Sequence, residues 1–89
     1  MANRTPKLKH EALLKTREMA TIILGKAAEN AGRLRNRMRE LREAALWYNS
    51  GRDGWEHFGC RCTTVNRRYR YKKSDGLAWA ERTGRIVMV

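Results

Sequence analysis

From Ala20 to Ala45, apolar side chains recur at alternating steps of four and three: Ala20, Leu24, Ala27, Ala31, Leu34, Met38, Leu41 and Ala45. A helix gathers residues at that spacing on one face, whereas a strand scatters them over both. The stripe reaches back to Leu13, and the residues between are chiefly Ala, Leu, Lys, Arg, Glu and Met, which favour helix. Four stripe positions are alanine, so a second helix can approach closely. Thr5-Pro6 supplies a start: Thr5 can cap free amides, and Pro6 lacks only an N–H that would have no helical partner.

The weak stretch is Gly25 to Gly32, where Gly25, Asn30 and Gly32 each lower helix stability and Asn-Ala-Gly can end one helix in a tight turn. Two arrangements follow. One is a helical hairpin, about 8–29 and 33–48. The other is a single helix of about 43 residues, roughly 64 Å long. The stripe keeps its phase across Gly32, which suits one helix, but such a helix needs a partner and hence a homodimer. A chain of this size must bury its own apolar face, which suits a break or kink near Asn30–Gly32.

Beyond Tyr48 the period changes. Asn49-Ser50-Gly51-Arg52-Asp53-Gly54 is rich in turn formers. Thr63 to Lys73, with its Thr, Val and Tyr, reads as a strand, Ser74-Asp75-Gly76 as a hairpin turn and Leu77 to Arg82 as the return strand. Arg85 to Val89 reads as a short third strand. The expected fold is α+β: an N-terminal helical hairpin or long kinked helix, then a small antiparallel β-hairpin or meander. It forms one small basic domain, 1–89, with a helical region at 5–48, an aromatic turn-rich linker at 49–61 and strands at 62–89. The stripe, with Leu46, Trp47 and Tyr48, is expected to pack on one sheet face.

Charge then narrows the function. Twenty Lys and Arg oppose nine Asp and Glu in 89 residues, a net charge of +11. An excess of that size in a small chain points to an anionic partner, with nucleic acid first. The cations gather in two places. On the helix, Arg35, Arg39 and Arg42 flank one side of the stripe, and Arg33 and Arg37 the other. Guanidinium forks match phosphate oxygens, although Glu40 and Glu43 lie within helical reach of Arg37, Arg39 and Arg42. On the strand, period-two alternation puts Val65, Arg67, Tyr69, Tyr71 and Lys73 on one face and Asn66, Arg68, Arg70 and Lys72 on the other. The expected nucleic-acid contacts are Arg35, Arg39, Arg42, Arg67, Arg68, Arg70, Lys72 and Lys73, aimed at phosphates, with RNA and DNA both open. The tyrosines read either as core aromatics opposite Leu77 and Trp79 or as platforms for unpaired bases.

Two other constellations compete. Trp55 and Phe58, in the turn-rich linker, could anchor a partner protein. On that reading the chain is a small regulatory or inhibitory protein, of phage type, docking on an acidic surface of a larger enzyme or nucleoprotein complex. A coiled-coil dimer or virion component is the third reading. His10, His57, Cys60 and Cys62 are the only His and Cys in the chain, and four is the number a closed zinc site takes. Otherwise Cys60 and Cys62 are small buried hydrophobes or free thiols. His57-Phe58-Gly59-Cys60-Arg61-Cys62-Thr63 resembles the H-x-x-C-x-C-T ending of some phage minor head proteins over those seven residues. The cysteine pair that often precedes that ending is absent here, and no function is carried over.

Catalysis is not expected, since the chain offers no Ser-His-Asp set, phosphate-cradling glycine loop or helix-borne metal motif. No apolar run approaches the roughly 18 residues of a membrane span. The charged start is unlike a signal core, so the expected location is the cytoplasm, or a host cytoplasm for a viral chain.

Overall fold

The computed structural model describes residues 12–86, and in it the apolar stripe divides into two helices that pack on each other. Helix α1 spans Thr16–Leu24 and buries Met19, Ala20, Ile23 and Leu24. It stops at Gly25, whose φ of 59° is open to glycine and costly for other residues. A 3-10 turn over Gly25–Glu29 follows. Asn30 then starts a new helix, its Oδ1 accepting from the Arg33 N–H at 3.0 Å. Helix α2, Ala31–Asn49, buries Leu34, Leu41, Ala44 and Ala45. The chain therefore forms the helical hairpin. Its break lies earlier than Asn30–Gly32, because Asn30 caps the second helix and does not end the first. The stripe is consumed within the chain, except that Leu13 and Ala31 are exposed. The unbroken helix, whose open apolar face argued for a dimer, does not form.

Leu13 leaves the helix altogether. With Leu14 it forms strand β1, Leu13–Leu14. Lys15 has extended φ and ψ, and its N–H donates to Glu18 Oε1 at 2.8 Å, fixing the start of α1 at Thr16. The expected Thr5-Pro6 start lies outside the described residues.

Helix α2 ends where the Ser50 hydroxyl donates to the Leu46 carbonyl at 2.8 Å. A short helix α3, Trp55–Phe58, follows. The chain then returns past α2, with the Cys60 N–H donating to the Ala44 carbonyl at 3.0 Å. Strand β2, Thr63–Val65, and strand β3, Arg68–Lys72, form an antiparallel hairpin that pairs Thr63 with Arg70, Thr64 with Tyr69 and Val65 with Arg68. Its two-residue turn is Asn66-Arg67, with φ of 52° and 65°, the positive pair of a type I′ turn. The sheet order is β1-β3-β2, with Leu13 opposite Lys72 and Leu14 opposite Tyr71. The third strand thus comes from ahead of the helices.

The segment read as turn and return strand is instead helix α4, Lys73–Arg82, which buries Gly76, Trp79 and Ala80. Those three stand at i, i+3 and i+4, a helical spacing that the Ser-Asp-Gly turn signal masked. Gly76 is an interior helical glycine because α1 approaches there: a Cβ would collide with Met19 Sδ. Tyr69 and Tyr71 accordingly face Thr64 and Leu14, not Leu77 and Trp79. Arg85 and Ile86 are not in a strand, and 87–89 lie outside the described residues. Leu46 is 57% exposed and does not join the core. Among the described residues no helix is long and apolar enough to cross a membrane.

Candidate functional site

The shortness of β1 leaves a concavity beside β3. β1 pairs with β3 only at Tyr71 and Lys72, after which the chain turns away into α1. The closing pair of a two-residue hairpin is hydrogen-bonded, so the backbone of Tyr69 points to the edge β1 has left. There the Tyr69 carbonyl accepts from Arg70 Nη1 at 2.9 Å. Between this open edge, the start of α1 and the middle of α2 lies a cleft of about 610 Å³. Its lining comes from three distant stretches: Lys15, Thr16 and Arg17; Met38 and Arg42; and 66–70.

Six of the ten lining residues are cationic and none is acidic: Lys15, Arg17, Arg42, Arg67, Arg68 and Arg70. Among the described residues none of the six is ion-paired with a carboxylate. Four of them, Arg42, Arg67, Arg68 and Arg70, belong to the expected set. Lys15 and Arg17 escaped the sequence reading because they sit in an ordinary stretch of mixed charge, over 40 residues from the hairpin. α1 also begins at this wall, and the first N–H groups of a helix lack helical partners and carry partial positive charge.

The remaining expected contacts are spread out. Arg35 and Arg39 are exposed on the same side of α2 as Arg42, and seven residues of helix place Arg35 about 10 Å from Arg42. They form a ridge leading away from the cleft, on which Arg39 pairs with Glu43 at 3.5 Å, both exposed. Lys72 and Lys73 are exposed where β3 meets α4 and do not line the cleft. Arg67 leaves the face it was given, because it occupies the turn.

Arg37 has a different task. Its Nη1 donates to the Arg85 carbonyl at 2.9 Å, and Glu40 Oε1 lies 3.4 Å from Arg37 Nε and 3.2 Å from Arg85 Nε. Glu40 thus ties the stretch after α4 to α2. The Arg85 guanidinium lies 5.3 Å from the Trp79 ring centre.

The aromatic linker mostly braces the fold. Trp55 is half-buried, edge-to-face with Tyr48 at 4.9 Å, and the Arg61 guanidinium stands 5.6 Å from its ring centre. Phe58 keeps 52% of its surface exposed beside Trp47, with ring centres 5.4 Å apart. The Phe58 carbonyl accepts from Trp79 Nε1 at 2.9 Å, and Arg82 Nη2 donates to the Gly59 carbonyl at 2.8 Å.

The structure puts the cysteines in unlike surroundings. Cys60 is fully buried, with its sulfur 3.8 Å from the Asp75 carbonyl. Burial, then the neighbouring Cys62 and Asp75, pushes its thiol up to about 12, against a smaller opposing pull from Arg82. Cys62 is half-buried and accepts from Asn49 Nδ2 at 3.6 Å, and burial raises it too. Both are thiols near neutral pH, whereas nucleophilic attack uses the thiolate. His57 stands on α3 with its ring against Phe58, 4.5 Å between centres, and His10 lies outside the described residues. Among the described residues no three His, Cys, Asp or Glu side chains are grouped to hold a metal ion.

Comparison with protein-family models, with curated proteins and with solved structures returned no match.

Proposed function

We propose that this chain binds nucleic acid through backbone phosphates, with the cleft between the hairpin, α1 and α2 as the contact surface. The observation that carries the reading is the convergence of six cations from three separate stretches on one concavity with no acidic lining. Outside the cleft three arginines are paired with carboxylates: Arg37 and Arg85 with Glu40, and Arg39 with Glu43. Folding one domain places like charges together at a cost, and an anion spanning the cleft offsets it. Arg39 and Arg35 continue the track along α2, so a backbone leaving the cleft meets further guanidinium groups. The activity proposed is binding, not catalysis.

The test is a fluorescence-anisotropy titration of labelled oligonucleotides over a series of salt concentrations. It compares the native chain with a variant carrying Arg42→Gln, Arg67→Gln and Arg68→Gln. Native binding is expected to persist near physiological salt, to fall steeply as salt rises, and to weaken at least tenfold in the folded triple variant. Binding confined to low salt, or unchanged in that variant, overturns the reading. It would turn attention to an acidic protein partner, for which exposed Phe58 is the candidate anchor.

A further inference from the structure

We infer that the cleft takes single-stranded nucleic acid in preference to duplex, laying one base against Tyr69 and Met38 with the flanking phosphates on the surrounding cations. This rests on the nucleic-acid reading above and specifies the strand type. The cleft is more than a ring of charge, because half-buried Tyr69 and Met38 are also in its lining. A thioether gives a phosphate nothing and a tyrosine gives it only a hydroxyl, whereas the ring and the thioether together give a base an apolar contact face. Every base has such a face, and stacking on an aromatic side chain tolerates any sequence. In a duplex those faces are hidden in the stack, and what remains for a cationic surface is backbone.

The two tyrosines of β3 show how the site arises. They alternate onto the same sheet face, yet Tyr71 is fully buried and Tyr69 is not. Tyr71 lies opposite Leu14 in the ladder and receives a hydrogen bond from Thr16 Oγ1 at 3.4 Å. Two residues away β1 has already ended, and Tyr69 is left in the cleft wall. The cleft volume of about 610 Å³ suits a ligand of nucleotide size, since small-molecule sites occupy roughly 300–1,000 Å³. Arg67 adds a second mark. Its φ of 65° is one that glycine adopts freely and arginine rarely does. The turn therefore carries backbone strain where a guanidinium joins the cleft wall, and strain of that kind gathers at functional sites.

The experiment measures the native chain against labelled 12-nucleotide single strands of DNA and RNA and a duplex of the same sequence, near physiological salt. Inorganic polyphosphate serves as a competitor that has charge but no bases. The single strands are expected to bind on the order of tenfold more tightly than the duplex. Tyr69→Leu, which keeps apolar bulk but loses the ring, is expected to lose about tenfold for the single strands, with duplex and polyphosphate unchanged. Tyr69→Trp is expected to keep single-strand affinity. A single strand of either sugar satisfies the inference, and the tighter of the two identifies the ligand. Duplex bound as well as or better than the single strands overturns it while leaving the nucleic-acid reading intact. So does a folded Tyr69→Leu variant with unchanged single-strand affinity. Polyphosphate bound without any nucleic acid overturns both. The strand preference is read on the native chain, so it stands whether or not a Tyr69 variant folds.

Discussion

Arg67 occupies a turn position with φ of 65°, where an L-residue gives up roughly 1–2 kcal/mol that glycine does not. Arg67→Gly is therefore expected to stabilise the domain by about 1 kcal/mol in urea unfolding while weakening oligonucleotide binding. A stabilised variant with native affinity would mean the arginine serves neither the turn nor the ligand. Cys60 makes a second prediction at this scale. Its thiol ionises at an ordinary 9.0 when unfolded and only near 12 when folded. Between those values the unfolded chain has released a proton that the folded chain retains, so stability falls as pH rises. The contribution is whole below about pH 9 and is lost through about 12. Tyr71, raised in the same direction chiefly by burial, adds to the decline. Thermal melts across this range are expected to show Cys60→Ala with a lower melting temperature at pH 7 but a shallower loss towards alkaline pH.

Between elements, the α1–α4 contact turns on one missing Cβ. Gly76→Ala drives a methyl into the buried Met19 side chain, and overpacking of this kind costs about 1–3 kcal/mol. Combining it with Met19→Ala vacates the space, so the two changes are expected to destabilise by less than their separate effects added together in a double-mutant cycle. The link from α2 to the stretch after α4 depends on Glu40. Glu40→Gln removes the charge facing Arg37 and Arg85, which is expected to cost about 1–2 kcal/mol given that all three side chains are partly exposed. Oligonucleotide affinity is expected not to fall, since none of these residues lines the basic cleft. A parallel loss of affinity would extend the interface to that side of α2.

For the molecule as a whole, salt dependence counts contacts. Each phosphate neutralised on a single strand contributes about −0.7 to the slope of log affinity against log salt. Replacing Arg42 and Arg68 together is expected to flatten the slope by about 1.4, and replacing Lys72 and Lys73 to leave it nearly unchanged, because those lysines do not line the cleft. Equal effects of the two pairs would mean that the ligand answers to overall charge and not to the cleft.

The local periods decided that this chain is α+β. The four-three stripe could only be a helix, Asn30 could cap one, and the Thr-Val-Tyr stretch could pair as a strand. Charge marked Arg42, Arg67, Arg68 and Arg70 as candidate contacts, and the fold brings these four into the lining of one cleft. Tertiary structure decided what local signals leave open. Gly76 reads as a turn residue from its neighbours and is helical because Met19 needs the space of a missing Cβ. Leu13 and Leu14 continue a helical pattern and become a strand because β3 has an edge to pair. Lys15 and Arg17 join the cleft only because β1 stops two residues after it starts, which turns α1 towards a hairpin far along the chain. Neighbours in sequence set the backbone period, but the partner that buries a face or satisfies an edge is fixed by contacts between distant segments, and no local spacing encodes those.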